Sequence, residues 1–349
     1  MRLDVSTEVL HLPFRDPFRI ARHLNEDEAT TVIVTLRSGD AEGVGEAFPM
    51  AYYGETVETI EAVMPRLASA VAELGDVPGE TGAARTWLAA ASAALDASIG
   101  HHGAAKAGID IALHDLIARR LGVPLWRLLG TSPDIPPTDF TIGLDEPQVV
   151  AERARRAARF PALKIKVGGP ADIETLEAVR AVYGGPIRVD ANTGWEPDQG
   201  AALVPELQRL GVELIEQPFP AHELGRLRWL QERSPLPIVA DESAVTIDDL
   251  EGLVGVVAGV NVKLMKCGGV GPARRMLERA RELGFRLMLG CMEETSVGIA
   301  AAASVASLAE WIDLDGNLLL ADDPYEGLEL GDDCRWRLGE EPGLGVRRA

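Results

Sequence analysis

The stretch Leu163-Lys164-Ile165-Lys166-Val167 alternates two lysines with three apolar residues. At the two-residue period of a β-strand, both ammonium groups leave one face and the aliphatic side chains leave the other. If the lysine face points into a barrel, each ammonium disfavours charge on its neighbour, and the pattern predicts a lowered pKa for at least one lysine. A half-exposed edge strand with solvated lysines also fits the stretch alone, so its interpretation depends on the flanking sequence.

Short apolar runs and amphipathic segments alternate along the chain after Pro124. Eight runs have the length of buried strands: residues 139–144, 163–167, 187–190, 212–216, 238–241, 259–264, 286–289 and 311–314. Most gaps between them have helical periodicity, and repeated strand–helix units predict parallel strands with right-handed crossovers. Eight units favour a closed (β/α) barrel. An open doubly wound sheet also fits, but no Gly-x-Gly-x-x-Gly follows a strand here, which removes its main support.

The first 120 residues have a different pattern, which predicts an α+β domain. Apolar and polar residues alternate in 3–10, 31–36 and 44–47, which predicts a three-stranded antiparallel meander. The polar residues 16–29 are expected to form a long loop between the first two strands. A second loop is expected at 49–55, and residues 56–120 have helical spacing.

Composition excludes several classes of protein. The 349-residue chain carries 54 acidic and 34 basic residues, for a net charge of −20, which argues against binding to nucleic acid or to an anionic membrane. Its three cysteines lack Cys-x-x-Cys spacing, so neither a disulfide framework nor a thiolate zinc site is expected. The N-terminus has no apolar core of a signal peptide, and a cytoplasmic location is the default expectation.

Three acidic residues, Asp190, Glu216 and Asp241, end consecutive apolar runs about 25 residues apart. Lys166 and Lys266 continue this spacing on either side, which predicts that all five side chains meet at the C-terminal rim of the barrel, where such barrels place their active sites. Any one of these acids could be a solvated strand end. Three in register predict a site for one Mg²⁺ ion per subunit, because carboxylates that converge need a cation.

Two residues beside these acids are expected to support them. Asn192 lies two positions after Asp190, and Glu242 follows Asp241 directly, so both are candidates for outer contacts of the metal site. A metal flanked by two lysines suits removal of the proton next to a carboxylate, since a divalent cation stabilises the enediolate that forms. One lysine would remove the proton and the other would return one to the opposite face, which gives the epimer.

Several motifs resemble those of the enolase superfamily, in its muconate lactonizing enzyme subgroup, over nearly the whole chain. They are Lys164-Ile165-Lys166, Asp190-Ala191-Asn192, Glu216-Gln217-Pro218, Ala240-Asp241-Glu242-Ser243 and Asn261-Val262-Lys263-Leu264-Met265-Lys266-Cys267-Gly268-Gly269. The resemblance implies that Lys166 and Lys266 are the acid/base residues, that Lys164 adjusts Lys166, and that the three acids bind Mg²⁺.

The same resemblance implies the fold class: α/β, a modified TIM barrel of (β/α)₇β type with an α+β N-terminal capping domain. We expect the capping domain at residues 1–120, the barrel at 121–320, and a C-terminal segment, 321–349, that returns to the capping domain. Enzymes of this kind commonly form homo-oligomers.

The motif Asp313-Leu314-Asp315 follows the last predicted strand, with both aspartates on one face. It resembles the Asp-x-Asp motif of dipeptide epimerases, where paired carboxylates hold the free α-ammonium group of the substrate. Such a pair forms charge-assisted hydrogen bonds with an ammonium group. A neutral N-acyl group could not form these bonds. Thr141 and Thr295-Ser296 are expected to add hydrogen bonds to the dipeptide.

The two capping-domain loops are expected to select the substrate's side chains, with Arg22 and Tyr53 as contacts. Relatives that act on Ala-Glu dipeptides place an arginine in the first loop, and Arg22 is the nearest candidate here. The acidic stretch Glu26-Asp27-Glu28 suits a cationic side chain, and it is equally compatible with a solvated loop.

The sequence therefore predicts a Mg²⁺-dependent dipeptide epimerase that acts at the α-carbon of the C-terminal residue. Within the same fold, the alternatives are an N-acylamino-acid racemase, an o-succinylbenzoate synthase or a muconate cycloisomerase, whose substrates lack a free ammonium. An alternative of another class is a barrel that only binds an amino-acid-like ligand, but such a protein would be expected to have lost a lysine or a carboxylate.

Overall fold

The computed structural model describes residues 3–21 and 23–349, except for the side chains of 23–26. Its first element is a three-stranded antiparallel sheet in the order β1-β2-β3. The strands are β1 Asp4–Ile20, β2 His23–Ser38 and β3 Ala41–Ala47. The predicted meander is therefore present.

The predicted loop at 16–29 is wrong, because β1 and β2 continue through it as a long hairpin that carries the sheet towards the barrel. The pairing shifts register between Pro13 and Phe18, which allows the ribbon to bend. Beyond this shift Phe18 and Ile20 are buried while Arg19 is partly exposed. Among the described polar side chains of this stretch, Asp16 and Arg19 are partly exposed, and Asp27 and Glu28 are exposed.

Four helices follow the sheet, and the third is buried along almost its whole length. They are α1 Val57–Ala72, α2 Thr81–Ser98, α3 Gly103–Leu121 and α4 Leu125–Leu129, with a 3₁₀ turn at Ala51–Tyr53 before α1. Strand β3 packs closely on α3 because it presents Gly43 and Gly45. A Cβ atom at either position would lie only 2.2 or 2.1 Å from a backbone oxygen of α3.

The barrel consists of eight strands in sequential order, with parallel pairing between neighbours. They are β4 Phe140–Ile142, β5 Leu163–Lys166, β6 Ile187–Asp190, β7 Val212–Glu216, β8 Ile238–Ala240, β9 Gly259–Lys263, β10 Arg286–Gly290 and β11 Trp311–Asp313. The barrel closes where the Asp139 amide donates to the Ile312 carbonyl at 3.0 Å. All eight predicted strands are present within one or two residues.

Helices connect the first seven strands to their successors, whereas the last strand is followed by a single turn. The barrel helices are α5 Pro147–Arg156, α6 Asp172–Arg180, α7 Pro197–Arg209, α8 Leu224–Gln231, α9 Leu250–Leu253, α10 Leu264–Cys267, α11 Val270–Glu282, α12 Ser296–Ala303 and α13 Gly316–Leu319, with 3₁₀ turns at Ile247–Asp249 and Ala306–Leu308. This confirms the (β/α)₇β architecture. Among the described residues, every helix is too short or too polar to cross a membrane.

The C-terminal segment runs back along the capping domain. Its short strands are β12 Tyr325–Glu326, β13 Glu329–Leu330, β14 Trp336–Arg337 and β15 Arg347–Arg348. The Leu344 amide donates to an Asp115 carboxylate oxygen on α3 at 2.8 Å, and Arg348 forms an ion pair with Glu8 on β1. The tail thereby ties the end of the chain to its first strand and to α3.

Candidate active site

Lys164 lies at the centre of a buried cage of carboxylates, and only 1% of its side chain is exposed. Its Nζ lies 2.8 Å from an oxygen of Asp313, 2.8 Å from one of Glu216 and 3.1 Å from one of Asp190. Burial acts to lower the pKa of Lys164, but the three carboxylates outweigh it and raise the pKa well above its usual value. A lowered pKa was expected for at least one lysine of the pair, and Lys164 does not have one because anions surround it.

Lys166 leaves the same face of β5 but reaches further towards the mouth of the barrel. Its Nζ donates to Asp190 at 2.8 Å, and it lies 6.0 Å from the centre of the Phe18 ring on β1. Only 8% of its side chain is exposed. It lines a cavity, here called the central cavity, whose other lining residues include Phe18, Thr141, Lys263, Asp313 and Asp315. The capping-domain hairpin therefore supplies an apolar wall beside this amine.

The three predicted metal ligands lie at the carboxyl ends of adjacent strands. Asp190 and Glu216 are register partners at the ends of β6 and β7, and Asp241 directly follows β8. Burial and the neighbouring Asp190 charge raise the pKa of Glu216 to about 7. Burial acts to raise the pKa of Asp190 too, but Lys166 and Lys164 outweigh it and lower that pKa to about 2.

Ammonium groups bridge these acids in the structure. Asp241 binds the Nζ of Lys263 at 2.9 Å and that of Lys266 at 2.5 Å, one on each oxygen. Among the residues that the structure describes, no three His, Cys, Asp or Glu side chains form a ready-made metal cluster. The carboxylates are in place, and lysines neutralise them.

The prediction that Lys266 ends a barrel strand is wrong, because β9 ends at Lys263 and Lys266 lies one turn later, on α10. The ammonium of Lys266 donates to the backbone carbonyls of Asp241, at 2.6 Å, and Asn261, at 2.9 Å, besides its ion pair. Only 1% of its side chain is exposed, whereas Lys263 is 8% exposed and lines the central cavity. The geometry therefore favours Lys263, not Lys266, as the second acid/base group.

Asp313 and Asp315 both point into the barrel beside the first strand. The hydroxyl of Thr141 donates to Asp313 at 2.9 Å, and its amide donates to Asp315 at 2.5 Å. Lys164 outweighs the effect of burial on Asp313 and lowers its pKa. Burial and the charge of Asp313 raise the pKa of Asp315 to about 8. Thr141 thus holds the predicted Asp-x-Asp pair in place.

Two of the remaining predicted residues, Asn192 and Tyr53, lie at the central cavity. Asn192 lies in the cavity wall, where its side chain donates to Glu242 at 3.3 Å and its amide donates to Asp190 at 2.9 Å. Tyr53 also lines the cavity. Arg22 lies outside the described residues.

Thr295 and Ser296 are placed elsewhere, at the seam between the barrel and the rest of the chain. The Thr295 hydroxyl donates to Glu46 on β3 at 2.7 Å, and the Ser296 hydroxyl donates to Asp323 in the tail at 2.6 Å. The Thr295 hydroxyl also caps α12, by accepting from the Val297 amide at 3.2 Å. Both hydroxyls are thus engaged by neighbouring segments, and the geometry gives no support to their expected role in substrate binding. In the acidic stretch, Glu28 is exposed and lies 3.4 Å from His11.

Comparison with known proteins agrees with this architecture. A family model described as enolase C-terminal domain-like matches residues 148–348, and the mandelate racemase/muconate lactonizing enzyme N-terminal domain matches residues 4–130. The chain belongs to the mandelate racemase/muconate lactonizing enzyme family. The enolase-superfamily resemblance seen in the sequence is thereby confirmed.

Relatives within this family are named as epimerases. The chain is 38% identical to an L-Ala-D/L-Glu epimerase of Bacteroides thetaiotaomicron, over 97% of this chain and 86% of the relative. It is 37% identical to an L-Lys-D/L-Arg epimerase of Methylococcus capsulatus, over 98% of each chain. A dipeptide epimerase from Enterococcus faecalis, solved with Mg and L-Leu-L-Tyr, superposes with a TM-score of 0.89 at 31% identity and covers 100% of both chains. Epimerases are isomerases, so this is the enzyme class of the chain's relatives.

Asn261 and Lys263 were not identified as candidate site residues in the sequence analysis. In Gly259-Val260-Asn261-Val262-Lys263, the odd-numbered residues face the interior, and Asn261 donates to Glu216 at 2.8 Å. The two-residue period that oriented Lys164 and Lys166 applies equally to this strand and could have found both. The constant spacing along the chain favoured Lys266 instead, because it does not reveal that a strand has already ended.

Proposed function

We propose that the protein is a dipeptide epimerase that inverts the α-carbon of the C-terminal residue by a two-base mechanism. The observation that carries this proposal is that Lys166 and Lys263 line one cavity from opposite walls, together with Asp313 and Asp315. Strands β5 and β9 lie four places apart in an eight-stranded barrel, so their side chains face each other. A base on each side of one carbon is the arrangement that epimerisation requires.

The donor set at the cavity floor fits Mg²⁺. Asp190, Glu216 and Asp241 offer hard carboxylate oxygens from three adjacent strands. Burial and the neighbouring Asp190 charge both raise the pKa of Glu216, and a divalent cation would stabilise its charged form against both. These three residues would hold one ion per subunit. When bound, the ion stabilises the negative charge that develops on the substrate carboxylate as the α-proton leaves.

The protein's own residues supply the other requirements. Lys166 and Lys263 exchange protons with opposite faces of the α-carbon, while Phe18 and Ile20 from the capping-domain hairpin close the cavity against water. Lys164 stays charged among its carboxylates and contacts the same Asp190 oxygen that binds Lys166. This division separates proton transfer from charge compensation.

The Asp-x-Asp pair supports a substrate with a free ammonium group. Strand β11 lies opposite β7 in the barrel, so an ammonium at Asp315 and a carboxylate near Glu216 place a dipeptide across the cavity. Burial beside Asp313 disfavours a charged Asp315, and a substrate ammonium is the partner that stabilises it. An N-acylated amino acid would leave this carboxylate without that partner, which argues against the racemase, synthase and cycloisomerase alternatives.

The choice of dipeptide, a cytoplasmic location and a homo-oligomeric state stay predictions. Incubation of an L,L-dipeptide library with the enzyme and Mg²⁺ in D₂O tests the function directly. We expect deuterium at the α-carbon of the C-terminal residue and formation of the L,D product, both detected by NMR and mass spectrometry. Turnover of N-succinyl amino acids, with no exchange in any dipeptide, would contradict the proposal.

A further inference from the structure

A second cavity, of about 400 Å³, opens beside the active site. It lies between the end of β1, helix α5 and the one-turn helix α13, and we call it the arginine groove. The groove takes its charge from four arginines and one aspartate: Arg15, Arg153, Arg156, Arg159 and Asp16. Its volume lies within the range of small-ligand sites.

The groove adjoins the position proposed for the substrate ammonium. Phe18, Thr141 and Leu319 line both the groove and the central cavity, so these three side chains form the wall between them. Thr141 contacts both carboxylates of the Asp-x-Asp pair, through its hydroxyl and its amide. The groove is therefore the space on the other side of this wall from the proposed position of the substrate ammonium.

The groove is positively charged, although the whole chain carries a net charge of −20. Asp16 binds Arg156 through both oxygens, at 2.7 and 2.9 Å, and lies 3.7 Å from Arg153. Arg153 is also paired with Asp145 at 2.9 Å. These two carboxylates pair with Arg153 and Arg156, and Asp145 also lies 3.7 Å from Arg19.

Two further arginines lie at the rim with their charge exposed to the groove. Arg15 and Arg159 are both exposed residues, and the guanidinium group of Arg159 lies 5.0 Å from the centre of the Phe160 ring. Phe160 and Phe140 form an apolar floor. An apolar floor with cations at its rim suits a short aliphatic chain that ends in a carboxylate.

We propose that the arginine groove binds an acidic side chain on the N-terminal residue of the dipeptide, so that the enzyme prefers substrates that begin with L-Glu or L-Asp. This assignment rests on the proposed epimerase function and on the ammonium position at Asp313 and Asp315. Arg15 and Arg159 are the specificity-determining residues, and Arg153 and Arg156 form the α5 side of the groove through their ion pairs with Asp16.

The test compares L-Glu-L-Xaa with its isostere L-Gln-L-Xaa, where Xaa is the best C-terminal residue from the dipeptide library. In the wild-type holoenzyme we expect kcat/KM to be about tenfold higher for the Glu dipeptide, in line with one charge-assisted contact. The double variant Arg15→Gln/Arg159→Gln should bring the two values within about twofold of each other while the Gln dipeptide keeps its rate. High salt should reduce the wild-type preference in the same direction.

Arg155→Gln is the matched control, because Arg155 is an exposed arginine of α5 that pairs with Glu152 at a site away from the groove. This variant should keep the wild-type preference. Equal rates for the Glu and Gln dipeptides in the wild type, or equal losses for both in the double variant, would overturn the groove assignment but leave the epimerase function intact. Failure of every dipeptide to exchange would overturn both.

Discussion

The two walls of the cavity each carry a pair of lysines, and the pairs are built differently. On β5, Lys164 and Lys166 leave one face of a strand two residues apart. On the opposite wall, Lys263 ends β9 and Lys266 lies three residues later on a helical turn. The exposures are nevertheless the same: 1% for Lys164 and Lys266, and 8% for Lys166 and Lys263.

Although the walls are built differently, each contains one lysine that is 8% exposed and one that is almost fully enclosed by its acceptors. Lys164 is enclosed by three carboxylates, and Lys266 by one carboxylate and two backbone carbonyls. Each of these ammonium groups has three buried acceptors for its three hydrogen atoms, so neither has a hydrogen atom left to direct at a substrate. Substitution of the more exposed lysine and of the enclosed lysine of a pair should therefore have different effects.

The largest effect is expected when a cavity-facing lysine is removed. Lys263→Ala and Lys166→Ala should each lower epimerisation on the order of 10³-fold, which lies within the range for loss of an acid/base group. Each variant should still exchange the α-proton of one epimer, because one base remains, and the two variants should retain opposite epimers. NMR in D₂O with the L,L- and L,D-dipeptides measures this.

Exchange of the α-proton in both epimers by the Lys263→Ala variant would contradict the assignment of one base to each wall. Exchange limited to the same epimer in both variants would also contradict the two-base arrangement. Mg²⁺ binding, followed by calorimetry, serves as the control that each variant keeps its folded carboxylate site.

The next largest effect concerns the enclosed lysine of the second wall. Lys266→Met should lower the free energy of unfolding by about 3–5 kcal/mol, because it leaves a buried Asp241 oxygen and two carbonyls without their donor. Chemical denaturation of the wild type and the variant measures this. Folded Lys266→Met should still exchange both epimers, and selective loss of one epimer would restore Lys266 as a base.

A smaller effect is expected at the far side of the cavity. Asp315→Asn removes one of the two charges proposed to hold the substrate ammonium and should lower kcat/KM for dipeptides about 10- to 100-fold, the value of one charge-assisted contact. Mg²⁺ affinity should change little, because Asp315 contacts Thr141 and lies on the wall opposite the proposed metal ligands. An unchanged kcat/KM would show that the motif is structural.

The sequence predicted the strands and the carboxylates because both follow local rules. Short apolar runs repeat with every β/α unit, and acids follow three consecutive runs, so the sequence predicts Asp190 and Glu216 as neighbours, which their pairing confirms. Lys263 was missed because its assignment depends on where β9 ends, and the helical turn at Leu264–Cys267 is too short to leave a periodic signal.

Contacts between distant segments were the other part that the sequence could not provide. The strand around Phe18 is established by its pairing with β2. The polar composition of residues 16–29 predicted a loop instead. Thr295 was expected at the substrate, and its hydroxyl instead binds Glu46, which is 249 residues away in the chain. Such assignments depend on tertiary packing, which a local pattern of polar residues does not specify.

The smallest effect tests how the helical turn of the second wall is held in place. Gly103 begins α3 and packs against this turn so closely that a Cβ atom would lie 2.2 Å from the carbonyl oxygen of Lys266. Gly103→Ala should therefore push α3 and the turn apart and lower the free energy of unfolding by about 1–3 kcal/mol. The matched control is Gly100→Ala, where a Cβ atom meets no neighbour within 4 Å. Because the β5 wall has no such turn, we expect Gly103→Ala to slow exchange of the epimer that depends on Lys263 more than that of the other. Equal slowing of both epimers would show that the turn does not position Lys263.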